Sequence, residues 1–169
     1  MLPSGQKTRD FEQTVLAYSA DLYRYAYWLC HDRFLAEDLV QEAFTRAWKS
    51  WADLHEIAAV KPWLITILRH EYARTFARKR LPMTEDDVYE LEIPAASRVT
   101  DDLEMEQCIG HLPLAYREPL LLQVLGGYSC VEIAELLGTS EGAVMTRLTR
   151  ARQALRKHYP EIEKRRAIL

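Results

Sequence analysis

The sequence predicts an all-α protein in which two small helical domains are joined by a flexible acidic linker. Apolar residues recur at helical spacing in several long segments, which is the main sign of amphipathic helices. Residues 81–102 lose this periodicity and contain prolines and many acids, as linkers do. Residues 128–157 then show two helical patterns separated by a glycine turn. The expected domains are therefore residues 1–80 and 103–169, with the linker at 81–102.

Composition excludes several classes of protein. No window of the 169 residues approaches the roughly 18 uncharged apolar residues of a membrane span. The first residues lack the apolar segment of a secretory signal. Cys30, Cys108 and Cys130 are odd in number and far apart, without the spacing of a disulfide framework or zinc site. We therefore expect a cytoplasmic protein with no metal site.

The charge is unevenly distributed along the chain. The net charge of −3 is unusual for a nucleic-acid-binding protein. Residues 61–80, however, contain six basic residues against Glu71 alone, and residues 81–106 contain nine acids against Arg98 alone. From Glu141 onward the sequence is basic again. Two positive blocks thus flank a negative linker, which favours nucleic-acid binding at both blocks.

Two helical patterns begin the chain. Residues 10–30 form the first, and its expected core face consists of Phe11, Val15, Leu16, Leu22, Tyr25, Ala26 and Leu29. Residues 36–51 form the second, with an apolar face of Leu39, Val40, Ala43, Phe44, Ala47 and Trp48. The other side of this second helix consists of Glu37, Asp38, Gln41, Glu42 and Thr45. Acids near a helix start are favoured by the helix dipole.

The acids of the second helix have two interpretations. Asp38 and Glu42 stand four residues apart, as a metal-binding or acid/base pair does. No histidine lies at a workable helical spacing beside them, so catalysis is disfavoured. A solvated face, or one that docks on a partner, is the better interpretation.

The third helix is expected to begin at Pro62 and to combine aromatic with basic residues. Its apolar and aromatic positions are Trp63, Leu64, Ile67, Leu68, Tyr72 and Phe76, interleaved with Arg69, His70, Arg74, Arg78, Lys79 and Arg80. This combination suits a single nucleic-acid strand, because phosphates need cations and unstacked bases need flat faces. The alternative is a basic amphipathic helix whose aromatics lie in the core, which we prefer for most of these aromatics.

The linker has 22 residues, which as flexible coil span about 25 Å. The second domain begins with a helical pattern at 101–109, followed by a helix from about Pro113. Pro119 falls inside that second pattern, so a kink or a later helix start is expected there.

Residues 128–157 predict a helix-turn-helix. Ser129 and Glu132 have the spacing of a capping box, Gly138 suits the end of the helix, and Ser140 suits the start of the next. The second helix has a buried stripe of Val144, Leu148, Ala151 and Leu155, and an opposite side of Thr146, Arg147, Thr149, Arg150, Arg152, Arg156 and Lys157. Such a helix fits a major groove. The alternative is an amphipathic hairpin whose arginines are merely solvated.

Three segments together resemble the extracytoplasmic-function (ECF) group of sigma-70-family sigma factors, the promoter-specificity subunits of bacterial RNA polymerase. AEDLVQEAFTRAWK resembles the helix that binds core polymerase, and PWLITILRHEYARTFARKR the helix that melts and reads the −10 element. The segment from Leu112 to Lys157 resembles the domain that reads the −35 element. The resemblance covers nearly the whole chain, with the segments in the family's order across an acidic linker. It implies a region 2-like domain at 1–80 and a region 4-like domain at 103–169.

The resemblance implies roles for residues of the first domain. The residues that would dock on core polymerase, or support that docking, are Asp38, Leu39, Gln41, Glu42 and Phe44. The residues that would contact the −10 DNA are Arg69, His70, Arg74, Arg78 and Lys79. The family usually has Asn where His70 stands and Asp where Arg74 stands. These departures leave the base preference open, whereas both side chains still suit phosphates or bases.

In the second domain, the −35 contacts implied by the resemblance are Ser140, Glu141, Thr146, Arg147, Thr149 and Arg150. Arg150 is the first choice for base readout, and Arg147 for a phosphate contact or a structural role. Met145 stands where the family commonly has a basic residue, so one DNA contact is expected to be missing.

The implied function is that of an alternative sigma factor, with core RNA polymerase and promoter DNA as partners. An anti-sigma factor, often membrane-bound in this family, is the further expected partner. No catalytic residue, cofactor or small-molecule substrate is expected. The rivals are a helix-turn-helix regulator that works without polymerase, and an enzyme such as a recombinase or nuclease. The regulator leaves the acidic second helix unexplained, and the enzyme lacks a convincing carboxylate cluster or nucleophile.

Overall fold

The computed structural model describes residues 4–54, 59–77 and 101–158. Within these ranges the chain forms seven α-helices, one short 3-10 helix and no strand, so the predicted all-α class is confirmed. The chain divides into two compact units, Met1–Asp86 and Asp87–Leu169. The predicted linker, apart from Asp101 and Asp102, and residues 159–169 lie outside the described residues. None of the described helices is long and apolar enough to cross a membrane.

The first unit contains helices α1 (Ser4–Cys30), α2 (Arg33–Ser50) and α3 (Val60–Ala77), with a 3-10 turn at Trp51–Asp53. Each of these three α-helices packs against the other two. Ala36, Ala43 and Ala47 of α2 are fully buried. Their small side chains let the neighbouring helices approach closely, since the distance between helix axes depends on the side chains at the contact. The rest of the core consists of Leu22, Tyr25, Ala26, Leu29, Leu39, Val60, Leu64, Ile65, Leu68 and Tyr72.

The first three helices begin earlier than predicted. Helix α1 begins at Ser4 rather than residue 10, α2 begins at Arg33 rather than residue 36, and α3 begins at Val60 rather than Pro62. The α2 start is set by Asp32, whose carboxylate accepts a hydrogen bond from the main-chain N–H of Leu35 at 3.0 Å. His31, with φ of 52°, turns the chain between the two helices.

The predicted core face of α1 is wrong at Leu16, which is 81% exposed. Its neighbour Val15 is half-buried instead. Adjacent residues of a helix point about 100° apart, and at this position the direction of Val15 lies nearer to the core than that of Leu16.

An aromatic cluster joins the start of α1 to the end of α2 and the start of α3. Phe11 lies 5.1 Å from both Trp48 and Trp51, measured between ring centroids, and Trp51 lies 6.2 Å from Trp63. Lys7 places its Nζ 5.1 Å from the Trp48 ring centre. The aromatic residues at these positions are therefore mainly packing residues.

The second unit contains helices α4 (Asp101–His111), α5 (Leu114–Val124), α6 (Cys130–Leu137) and α7 (Glu141–His158). Helix α7 packs against each of the other three, and α5 also packs against α6. Their shared core consists of Cys108, Leu112, Leu120, Leu121, Leu122, Ile133, Ala134, Val144, Leu148 and Ala151.

Helix α5 corrects the expectation of a later start. It begins at Leu114 and continues through Pro119, which is fully buried. A proline inside a helix costs a main-chain hydrogen bond. Burial of its ring beside three core leucines offsets that cost. Gly126 and Gly127 then end the segment, and the Tyr128 N–H returns to the Leu122 carbonyl oxygen at 3.3 Å.

Candidate functional site

Helices α6 and α7 have the predicted caps. The Glu132 carboxylate accepts hydrogen bonds from the Ser129 main-chain N–H at 2.8 Å and from its hydroxyl at 2.7 Å. These bonds, the main-chain one foremost, hold the pKa of Glu132 below its usual value. Gly138 adopts a left-handed conformation with φ of 62°, and Ser140 Oγ accepts from the Ala143 N–H at 3.2 Å. The helix-turn-helix is therefore fixed largely by local hydrogen bonds.

Helix α7 is divided into a buried and an exposed side, as predicted. Val144, Leu148 and Ala151 are at most 2% exposed, while Leu155, the last residue of the predicted stripe, is half-buried. The exposed side contains Glu141, Thr146, Thr149, Arg150, Arg152, Arg156 and Lys157, while Arg147 is half-buried. A rigid helix that presents hydroxyl and guanidinium groups on one side has the form of a recognition helix.

The two exposed threonines of α7 have their hydroxyl protons engaged. Thr146 Oγ1 donates to the Gly142 carbonyl oxygen, and Thr149 Oγ1 donates to that of Met145, each at 2.9 Å. Each hydroxyl then offers a base a lone pair, and each side chain offers a methyl group. Those groups suit base amino groups and the thymine methyl in a major groove.

Two arginines of α7 are bound by side chains of α5. Arg150 Nη1 donates to the Tyr116 hydroxyl oxygen at 3.2 Å, and Arg152 Nη2 donates to Gln123 Oε1. Sequence reasoning missed both acceptors, because the partners are 34 and 29 residues apart and no motif marks them. Ser140, predicted as a −35 contact, is occupied in this structure as the helix cap.

The predicted docking residues of α2 fall into two groups. Asp38, Gln41 and Glu42 are exposed on one side of the helix. Leu39 is only 3% exposed, and Phe44 is half-buried with its ring 6.3 Å from that of Phe11. Leu39 and Phe44 therefore hold the helix in place rather than form its outer face.

The predicted −10 residues of α3 are partly described. His70 and Arg74 are exposed, Arg69 is half-buried, and Arg78 and Lys79 lie outside the described residues. Lys61, at the start of α3, pairs with Asp21 of α1 at 2.7 Å between Nζ and Oδ2. This hydrogen bond lowers the pKa of Asp21.

A chain of four charged residues connects the exposed faces of α2 and α3. Glu71 is 7% exposed and is bound by Arg46 of α2 and by Arg74, whose Nη1 lies 3.4 Å from Glu71 Oε1. Arg46 Nε also lies 3.1 Å from Glu42 Oε1. Sequence reasoning did not assign Glu71 this role. The signal available was a single acid within a basic helix.

Two clefts flank this chain of charges. One, of about 310 Å³, is lined by Arg46, Lys49, Ser50, Trp63, Ile67, His70, Glu71 and Arg74. The other, of about 370 Å³, is lined by Leu35, Asp38, Leu39, Glu42, Arg46, Glu71, Arg74 and Thr75. The first brings an aromatic ring beside cations, which suits a nucleotide strand. In the part of the chain that the structure describes, no group of three or more His, Cys, Asp or Glu residues could hold a metal ion.

Comparison with known proteins agrees with this geometry. Residues 14–81 match Sigma-70 region 2, and residues 102–155 match Sigma-70, region 4. The chain is 31% identical over 151 residues to the ECF RNA polymerase sigma factor SigM of Bacillus subtilis, covering 84% of this chain and 90% of SigM. The chain belongs to the ECF sigma factors of the sigma-70 family. The predicted resemblance is confirmed.

A second curated relative is longer. The probable RNA polymerase sigma factor RfaY of Xanthomonas campestris is 36% identical over 141 residues, which is 76% of this chain and 35% of that protein. This ECF chain thus spans about a third of the length of RfaY.

Solved structures share the fold. The sigma factor RpoE of Bartonella quintana, crystallised with the anti-sigma factor NepR, superposes with a TM-score of 0.72 at 23% identity, covering 90% of this chain and 98% of RpoE. CnrH, solved with the cytosolic domain of CnrY, superposes with a TM-score of 0.58 at 23% identity. The match covers 88% of this chain and 86% of CnrH.

Proposed function

We propose that this chain works as an alternative sigma factor that binds core RNA polymerase and directs it to a distinct set of promoters. The observation that carries this proposal is the two-sided helix α7, which presents Thr146, Thr149 and Arg150 from a turn fixed by caps on both sides. Its role is binding, and polymerase supplies the catalysis, so no cofactor or small-molecule substrate is required. The place of action is the cytoplasm, where polymerase and promoters are.

The division of labour follows the two units. Residues 1–80 bind core polymerase through the exposed acids of α2 and contact the −10 strand through α3. Residues 103–169 read the −35 element, and the acidic linker at 81–102 joins them. Helix α4 begins at Asp101, two residues before this boundary, so the second domain includes the last linker residues.

Contact with polymerase is assigned to Asp38, Gln41 and Glu42, with Leu39 and Phe44 as buried supports. An acidic helix face suits a basic partner, because complementary potentials guide association and fix orientation. Contact with the −10 DNA is assigned to Arg69, His70, Arg74, Arg78 and Lys79. Contact with the −35 DNA is assigned to Glu141, Thr146, Arg147, Thr149 and Arg150, with Ser140 acting mainly as the cap.

Regulation by an anti-sigma factor is part of the proposal. RpoE was crystallised in complex with the anti-sigma factor NepR, and the present chain shares the RpoE fold over 90% of its length. Such a partner would silence this chain by covering the exposed sides of α2 or α7. Co-purification of the tagged chain from its host, with and without inducing stress, tests this step.

The main test is run-off transcription with purified core polymerase. Wild type is expected to start promoter-specific transcripts, and Glu42→Lys to lose core binding. Glu12→Lys, which reverses an exposed charge on α1, is the matched control and should bind normally. Because Glu42 also pairs with Arg46, thermal unfolding of both variants must show that the unit stays folded.

The second arm concerns α7. Arg150→Ala is expected to keep core binding and to lose dependence on the −35 sequence, whereas Arg156→Ala, on the same helix, keeps it. If wild type neither binds core polymerase nor starts transcripts, the proposal is refuted. The helix-turn-helix would then belong to a regulator that binds DNA alone.

A further inference from the structure

The hydrogen bond between Arg150 and Tyr116 suggests how the recognition helix is prepared for DNA. Arg150 is exposed on α7, and its Nη1 donates to the Tyr116 hydroxyl oxygen at 3.2 Å. An exposed arginine has a long side chain with several rotatable bonds, and fixing it on DNA costs conformational entropy. A partner that restricts it before binding reduces this cost.

We propose that Tyr116 is a positioning residue that orients the Arg150 guanidinium for base readout at the −35 element. This inference rests on the proposed function, since it requires α7 to lie in a major groove. The guanidinium has five N–H donors, and the bond to Tyr116 uses one of them. Four remain, and a guanine needs two parallel donors for its O6 and N7 atoms. Arg150 can thus retain its hydrogen bond to Tyr116 while it contacts a base.

Tyr116 is itself held in place. It lies half-buried in the first turn of α5, and its main-chain N–H donates to the Pro113 carbonyl oxygen at 2.9 Å. Helix α5 packs directly on α7, and Leu122 of α5 and Leu148 of α7 are both buried in the shared core. The phenol is therefore a fixed point relative to the recognition helix, as a positioning group must be.

The chain offers its own matched control. Arg152 is held by Gln123 in the same way, from the same two helices, but it is outside the set assigned to −35 bases. Tyr116→Phe removes one hydroxyl, and Gln123→Met removes one amide at nearly constant volume. The first should alter base discrimination and the second should not, although each releases one arginine from α5.

The test uses holoenzyme assembled from core polymerase and the full chain. The probes are duplexes of a promoter that the wild type transcribes, with each −35 base pair substituted in turn. Arg150→Ala should remove discrimination at one G·C pair. Tyr116→Phe should reduce discrimination at that same pair by roughly 3- to 10-fold. Discrimination at the other positions, the slope of affinity against salt and the unfolding temperature should stay unchanged.

Three results would overturn the inference. If Arg150→Ala removes discrimination while Tyr116→Phe keeps it in full, the hydroxyl does not position the arginine, and the proposed function stands. If Tyr116→Phe weakens all duplexes equally, the tyrosine acts as a phosphate contact instead. If Arg150→Ala changes no base preference, the assignment of Arg150 to base readout fails and the inference fails with it.

Discussion

Replacing Glu71 with glutamine is expected to destabilise the first unit, because this carboxylate joins α2 to α3. Its side chain is 9% exposed and is paired with two arginines, Arg46 and Arg74. Glutamine has nearly the same size and shape, so the substitution removes the charge and one acceptor without opening a cavity. The change in stability therefore reports the ion pairs rather than packing.

The magnitude follows from how exposed each partner is. Breaking a buried ion pair costs about 3–5 kcal/mol, and because the Arg46 side chain is 39% exposed, its pair with Glu71 is expected to contribute about half of the lower figure. Arg74 is 57% exposed and lies three residues away on the same helix, so its pair adds no more than about 0.5 kcal/mol. In the variant both guanidinium groups can be hydrated, and Arg46 retains its ion pair with Glu42. The expected loss is about 2 kcal/mol.

The assay uses a property of the sequence. All four tryptophans lie between residues 28 and 63, so their fluorescence reports unfolding of the first unit alone. A loss of about 2 kcal/mol should lower its unfolding midpoint by roughly 10 °C, given the usual sensitivity of a small domain. Glu12→Gln, which removes an exposed acid from α1, should leave the midpoint unchanged.

A double-mutant cycle with Arg46→Met isolates the pair between the helices. We expect a coupling energy of about 1–2 kcal/mol between Glu71 and Arg46, because contacting charged residues do not contribute additively. If Glu71→Gln costs no more than the Glu12 control, or if the coupling energy is near zero, the buried carboxylate does not hold the two helices together.

Two further predictions concern stability. Lys61 holds the pKa of Asp21 below its unfolded value, so the stabilisation is complete above about pH 4 and is lost as pH falls through the folded pKa. With Asp21→Asn, the free energy of unfolding, followed by tryptophan fluorescence, should fall less steeply as the pH is lowered. An unchanged pH dependence would contradict the pairing. At Gly126 an added Cβ would lie 2.6 Å from the Leu122 carbonyl oxygen, so Gly126→Ala should destabilise the second unit. Gly142→Ala meets nothing within 4 Å inside α7 and should stabilise it by up to about 1 kcal/mol, as measured by circular dichroism. Equal effects at the two glycines would refute the steric argument.

Much of the second unit was predictable because its decisive interactions are local. The capping box of Ser129 and Glu132 spans three residues, and Gly138 ends α6 through its own backbone conformation. The buried stripe of α7 follows from helical periodicity alone. The all-α class, the helix-turn-helix and the family all follow from such short-range patterns.

The errors occurred where two neighbouring residues were equally plausible. Leu16 and Val15 both fit an apolar face, and only the packing of α1 on α2 and α3 selects Val15. By contrast, helical periodicity correctly placed Leu39 on the apolar side of α2 and Glu42 on the opposite side, and the structure buries the first and exposes the second.

By itself the sequence determined the all-α class, the helix-turn-helix with its caps, the charge blocks and membership of the ECF sigma factors, because each depends on residues within a few positions of one another or on ordered motifs. Only the tertiary structure decided which charges meet. Glu71 binds Arg46 from another helix, and Tyr116 binds Arg150 across 34 residues. Such pairs depend on how whole helices pack, and side-chain spacing along the chain carries no information about them.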